Sequence, residues 1–365
     1  MKNIKIQGFV LLDVDVVALN NAGKNTQSNN DNAIATKSIR KNGRTYVYVS
    51  GQAWRYWWRE ALQKNIGWQL SPITREGKIA FTNADPFQYP DDDVFGYMRA
   101  AKDAVLDENG ESVKDTKGNI KMTNVTVTRV SPLKNSAIIS AASVRPEENW
   151  SSMSRQEGDA VPYEKQEYCA IMKGMFSLDL SMVGTFSNYN RTGYKNLSIL
   201  LQEEALNNGA DEIDDPFVLD ENGNPKKLIR LAKDVRLKRA NDTIQALKTI
   251  SGGAMQTNNM GDVTPKFIIL ATTNTGNHPF SHIVGSKGQR DEEVVFNFNG
   301  LVEVLKDYKE TFSGSVFIGR RSGFMDEIAT QLDSLVNMNN IPNVQVMSVN
   351  EAIDNYCDQM KSQIE

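Results

Sequence analysis

The stretch from Ile4 to Val17 constrains the fold more than any other. It alternates apolar and polar residues at first, then runs almost unbroken through Phe, Val and Leu, as a central strand covered on both faces would. With 365 residues, 40% of them hydrophobic, the chain has apolar mass for one elaborated domain or two around such a strand. Asp13 and Asp15 interrupt the apolar run from Phe9 to Leu19, and no run approaches the ~20 residues that cross a bilayer. The start, Met1 to Lys5, lacks the apolar core and cleavage site of a signal peptide, so a cytoplasmic protein with no membrane partner is expected. Cys169 and Cys357 stand far apart and form neither a disulfide framework nor a CxxC motif; both are expected to be buried thiols.

Along the chain, Asn20 to Lys37 is Asn-rich and too polar for core, which predicts a loop. Asn42-Gly43 signals a turn, and Thr45 to Val49 suits a short strand. Ser50 is a plausible N-cap for a helix from about Gly51 to Gln63. Residues 71–145 are less regular, broken by Pro72, Pro86 and Pro90. The pentapeptide Leu106 to Gly110 recurs as Leu219 to Gly223, and both copies read as hairpin tips. Arg145 to Lys165 is polar without a sustained period and reads as a projecting loop or hairpin. Tyr168 to Leu180 and Lys266 to Thr273 read as strands. Helices are expected from about Asn196 to Leu206, Lys227 to Ile250, and near 300–310, 324–336 and 350–364.

A net charge of -4 argues at first against a polyanion partner, but the charge is uneven. Residues 203–221 hold eight acids, whereas Lys24, Lys37, Arg40, Lys41, Arg44, Arg55 and Arg59 fall in 24–59 with Asp31 as the single acid before Glu60. On the helix, Trp54, Trp57, Trp58, Ala61 and Leu62 gather on one side and Gln52, Arg55, Arg59 and Gln63 on the other. The tryptophans belong to the core. The second face is either a solvated surface or a phosphate-contacting strip beside the basic loop.

Catalytic signatures are sparse. His278 and His282, the two histidines, have Pro279 between them, which disfavours a helical metal pair. Asp91, Asp92 and Asp93 lack the ligand spacing of a divalent-cation loop. No phosphate loop, GxSxG elbow or HExxH motif occurs, so no catalytic residue, metal or cofactor is expected.

Several segments taken in order resemble one family. Asp13 to Asn21, Tyr46 to Arg55 with Arg59, Asp93 to Met98, Arg129 to Leu133, Phe176 to Leu180 and Gly252 to Ala254 look like the DevR family of CRISPR-associated proteins, the backbone subunits of type I Cascade within the RAMP superfamily. Type I-B is the expected subtype. The resemblance implies an α+β fold: a modified RRM-like (ferredoxin-like) palm from 1–70 and 166–325, a finger insertion at 71–142, a thumb hairpin at 143–165 and a C-terminal helical extension at 326–365. It implies copies of the chain stacking head to tail on a CRISPR guide RNA, together with other Cascade subunits, and presenting the guide for pairing with target DNA. Residue by residue, it places Asn20, Asn21 and Lys24 in the loop that approaches RNA, with Lys37 and Arg40 in the same basic segment. Ser50, Gln52, Arg55 and Arg59 fall on the groove-lining helix, and Gly252, Gly253, Ala254, Met255 and Gln256 in a glycine loop whose amides meet phosphate. Met153, Trp150 and Arg155 fall in the thumb, where Met153 or Trp150 would wedge beside a base. The rival reading is an endoribonuclease of the same superfamily, with Asp31 as the loop aspartate. A third, autoregulatory DNA binding, has no helix-turn-helix spacing behind it.

Overall fold

The computed structural model describes residues 3–105, 112–153, 157–191, 195–287 and 293–365. At its centre is β1 (Lys5–Val17), which pairs antiparallel with two strands, β11 (Val161–Asp179) and β14 (Phe267–Thr273). The sheet continues beyond β14 through β15 (Val316–Arg320) to β16 (Val344–Met347), the last pair parallel. Beyond β11 it continues through β9 (Ile138–Ser140) and β5 (Arg44–Val49) to β4 (Ser38–Lys41) at the edge. The result is a large mixed sheet in a mixed α/β fold.

Both faces of β1 are covered, as its apolar run requires. Ile6, Val10, Leu12 and Val14 pack under α1 (Gly51–Ala61), α4 (Lys233–Gln245) and α6 (Val349–Met360). Phe9 and Leu11 point to the other face, against Phe267, Ile269 and the Leu301 and Leu305 face of α5 (Phe298–Asp307). Trp58 is wholly buried, stacks on Trp54 at 5.6 Å between ring centroids, meets Phe176 edge-on at 5.1 Å, and donates its indole N–H to Thr243 O at 2.7 Å. Each such side chain contributes about 2–3 kcal/mol by leaving water, which is why the tryptophan face anchors α1. A π-helical turn over Leu62–Ile66 extends the helix to Gly67.

The inserted region holds α2 (Pro90–Phe95) and a ribbon of β6 (Tyr97–Ala104) and β7 (Met122–Arg129), and α3 (Ile199–Asn207) packs on β6. Its anchor is ionic. Asp93, fully buried, accepts from the Gly184 N–H at 2.9 Å and from Arg239 at 2.7 Å, and forms a close ion pair with Arg129. Asp93 therefore anchors the inserted region to the rest of the fold. Among the described residues no group of three or more His, Cys, Asp or Glu side chains is arranged to hold a metal.

Several expectations need correction. Residues 133–140, read as part of the finger insertion, join the main sheet: β8 (Leu133–Asn135) and β9 pair with β11, because their apolar side chains find the tryptophan core. The segment 326–365 is no helical extension, since β16 lies in the main sheet and α6 closes its core. The helix expected from Lys227 starts at Lys233. Pro225–Arg230 is instead strand β13, paired with the acidic strand β12 (Asp211–Leu219). The tip between them is Asp220 to Asn224, as the Asn-Gly signal implies, whereas the first copy of that pentapeptide, Leu106 to Gly110, lies outside the described residues. Cys357 is buried and its thiol is pushed up to about 12 by burial, but Cys169 is exposed. Among the described residues no helix is long and apolar enough to cross a membrane.

Candidate nucleic-acid interface

Three separate pieces of sequence meet at the end of β1. Leu19 O accepts the Ala254 N–H at 3.0 Å, and Ala18 bridges to Ala254, which brings the glycine loop against the segment after β1. The Asn20 side chain accepts the Ser50 N–H at 2.9 Å, and Asn20 O accepts the Lys37 N–H at 2.8 Å. Ser50 in turn caps α1, its hydroxyl accepting from the Ala53 N–H at 3.3 Å. Asn20, Lys37, Ser50 and the Gly252 to Ala254 loop thus meet along one rim, with Gln52 exposed in the first turn of α1.

The segment after β1 is more ordered than a loop. It forms β2 (Asn21–Lys24) and β3 (Ala33–Thr36), and β3 lies parallel to β11 with Ala33 opposite Glu164. The hairpin of β10 (Glu147–Met153) and β11 supports it: Asn25 donates to Glu148 at 3.0 Å and the Thr36 hydroxyl to Gln166 O at 2.9 Å. Short polar side chains tied to a neighbouring strand replace the apolar core that the sequence lacks here. Trp150 and Met153 project from the hairpin, 66% and 53% exposed. Arg155 lies outside the described residues.

Gly252 and Gly253 are each required by local geometry. A Cβ on Gly252 would sit 2.2 Å from the Trp57 indole, so this glycine allows the loop to lie flat on the tryptophan face. Gly253 has φ +112°, a conformation closed to side chains. Gln256 turns its amide inward to Gly252 O and Gly261 O rather than outward. Met255, with φ 58°, turns the chain into the helical turn Gln256–Asn259.

The basic strip on α1 is not free. The Arg55 guanidinium donates to Leu133 O at 2.7 Å, Phe95 O at 2.6 Å, Asn135 Oδ1 at 3.2 Å and Ser131 Oγ at 3.0 Å. Burial and the nearby Arg59 charge pull its pKa down to about 10. Arg59 pairs with buried Asp91 at 2.6 Å. Both arginines therefore clamp α1 to the inserted region, and neither presents its charge as a solvated strip would. Lys24 is exposed and paired with Asp31 at 2.7 Å; that ammonium holds the Asp31 carboxyl below the ordinary range. Arg40 and Lys41 stand on the exposed edge strand β4.

A model of the family described as CRISPR-associated negative auto-regulator DevR/Csa2 matches residues 10–293. The chain belongs to the DevR/Csa2 family. Two solved structures are similar to it. One, "CRISPR RNA-guided surveillance complex", is 9% identical, with 98% of this chain and 99% of that chain covered at a TM-score of 0.47. The other, "CRISPR RNA-guided surveillance complex, pre-nicking", is 10% identical over 97% of this chain and 99% of that chain, at a TM-score of 0.45. No curated protein matches.

The DevR/Csa2 match takes in the whole rim, from β1 to the glycine loop. Sequence reading passed over two residues beside it. Asn259 donates to Glu167 at 2.8 Å and accepts from Lys165 at 3.4 Å, tying the glycine loop to the hairpin base. Met260, next to it, is 88% exposed with φ 49°. An isolated Met after two Asn residues carries no periodic signal, so only the fold reveals it.

Proposed function

We propose that this DevR-family chain is a non-catalytic, RNA-binding backbone subunit of a type I Cascade complex, with I-B as the subtype. Its copies line up head to tail on a cytoplasmic guide RNA, which pairs with target DNA. In this reading the main sheet is a modified RRM-like palm, the region around α2, β6 and β7 is the finger, and the β10/β11 hairpin is the thumb.

The observation that carries the reading is the convergence of Asn20, the capped start of α1 and the Gly252 to Ala254 loop on one rim beside a hairpin with exposed Trp150 and Met153. Polar side chains and main-chain groups on such a rim grip a backbone whatever its sequence, while exposed apolar side chains pack on bases. Sequence choice is left to base pairing. The arginines of α1 set the angle of the rim by internal clamping. Asp31, held by Lys24, acts in this reading as a surface residue rather than a nuclease group.

Photo-cross-linking with 4-thiouridine-labelled guide RNA, followed by peptide mapping, tests this. Cross-links within 17–24, 50–56, 147–165 and 251–262 are expected. Cross-links confined to the β12/β13 hairpin or the α5 face would contradict the assignment.

A further inference from the structure

Two surfaces of opposite charge lie on different parts of the fold, one at the edge of the main sheet and one on the β12/β13 hairpin. The first is the sheet edge. All four residues of β4 are exposed, Ile39 by 52%, and Lys41 stands directly opposite Arg44 across the hairpin. Like charges in that register repel, and among the described residues Arg40, Lys41 and Arg44 have no ion-pair partner. Cations along an open edge oppose pairing with a further strand and leave the edge free to meet an anionic surface.

The second is the β12/β13 hairpin, whose strand β12 is acidic and carries exposed Phe217 and Leu219, at 65% and 59%. Of its two lysines, Lys227 pairs with Asp214 at 2.5 Å and Lys226 lies over the Tyr189 ring at 5.0 Å. Asp211, Glu212 and Glu221 are exposed and have no ion-pair partner among the described residues.

Strand β11 separates the two. The basic hairpin is level with Ile171, in the middle of that strand, since Thr45 O accepts the Val144 N–H and Ile171 O accepts the Ala141 N–H, both at 2.9 Å. At the end of the strand Asp179 leads to Thr185, which pairs with Arg230 of β13 opposite Asp211. Along β11 alone, eight residues at about 3.3 Å each separate these two levels by roughly 26 Å. Neither patch can satisfy the other within one chain. Two unlike, complementary patches generate a heterologous contact between copies.

We propose that the acidic β12/β13 hairpin of one copy docks on the basic β4 edge of the next, Phe217 and Leu219 packing beside Ile39. The inference deepens the backbone reading and rests on it for the alignment of copies, but it names a protein partner for Arg40 and Lys41 in place of RNA.

Charge exchange tests it in the complex purified after co-expression with a CRISPR array and neighbouring gene products, with copies per guide counted by native mass spectrometry. Arg40→Glu with Lys41→Glu, or Asp211→Lys with Glu212→Lys, each lowers the fraction of multi-copy assemblies at least tenfold. All four changes in one chain restore it, because the exchanged charges again attract. Circular dichroism shows each variant folded. Failure of the fourfold variant to restore assembly overturns the proposal, as does full assembly by either double variant. Loss of RNA on edge reversal without rescue by the acidic changes assigns the edge to RNA and overturns it too. Charge-dependent copy association in preparations free of guide RNA would keep this contact and sink the backbone reading. A wild-type chain that neither associates nor binds RNA sinks both.

Discussion

Replacing Arg55 by alanine separates the structure from the expectation that this arginine grips phosphate. Its guanidinium supplies four internal hydrogen bonds, two of them to the main-chain carbonyls of Leu133 and Phe95. Hydrogen bonds from a charged donor contribute about 1.5–3 kcal/mol each, less when they share one group, and carbonyls left without a donor cost about 1–3 kcal/mol more. We expect Arg55→Ala to destabilise the chain by about 4 kcal/mol, read from the urea midpoint by tryptophan fluorescence. Arg55→Lys, which keeps the charge but loses the planar fork, should recover less than half of that. RNA affinity per folded molecule should keep its salt dependence, whereas loss of one phosphate contact on a single strand lowers the log–log slope by about 0.7. A stability change under about 0.5 kcal/mol together with a slope lower by about 0.7 would refute the clamp.

Asp93→Ala leaves the Arg129 and Arg239 cations buried without their anion and should cost about 3–5 kcal/mol, with Asp93→Ala/Arg129→Met costing less; urea unfolding reads both. Gly252→Ala drives a Cβ into the Trp57 indole, so a loss of about 2 kcal/mol and a shifted tryptophan emission maximum are expected. Burial pulls the His278 pKa down to about 4 from 6.5. The unfolded chain therefore takes up this proton first as pH falls. The contribution of neutral His278 is intact above pH 6.5 and is lost between pH 6.5 and 4, up to about 3 kcal/mol, and His278→Gln should remove this part of the pH profile. Trp150→Ala with Met153→Ala should leave the unfolding free energy in urea unchanged within about 0.5 kcal/mol and weaken RNA binding, measured by fluorescence anisotropy.

What the sequence made legible was whatever rests on local pattern. The run from Ile4 to Val17 specified a doubly covered strand, the tryptophan face fixed the buried side of α1, and Ser50 marked its start. Asn222-Gly223 marked a hairpin tip and Phe267–Thr273 a buried strand. What stayed hidden depends on distant partners. Val316–Arg320 is too short an apolar run to choose between helix and strand until Phe267–Arg320 pairing decides it. Strand β12 carries no strand signal in its sequence, because an exposed strand whose partner is β13 lacks apolar alternation. Arg55 looked available because its acceptors lie 40 to 80 positions away, at Phe95, Ser131, Leu133 and Asn135. The rim itself was half legible: its members were named from the resemblance, but the Asn20 to Ser50 and Leu19 to Ala254 hydrogen bonds that join them could not be read from spacing.

The most direct test of the central claim is to co-express the chain with a CRISPR array and its neighbouring gene products, purify it, and size the bound nucleic acid before and after ribonuclease treatment. The account predicts discrete guide-length RNA, protected at regular intervals in a complex holding several copies of the chain. A monomer free of nucleic acid under the same conditions would contradict it.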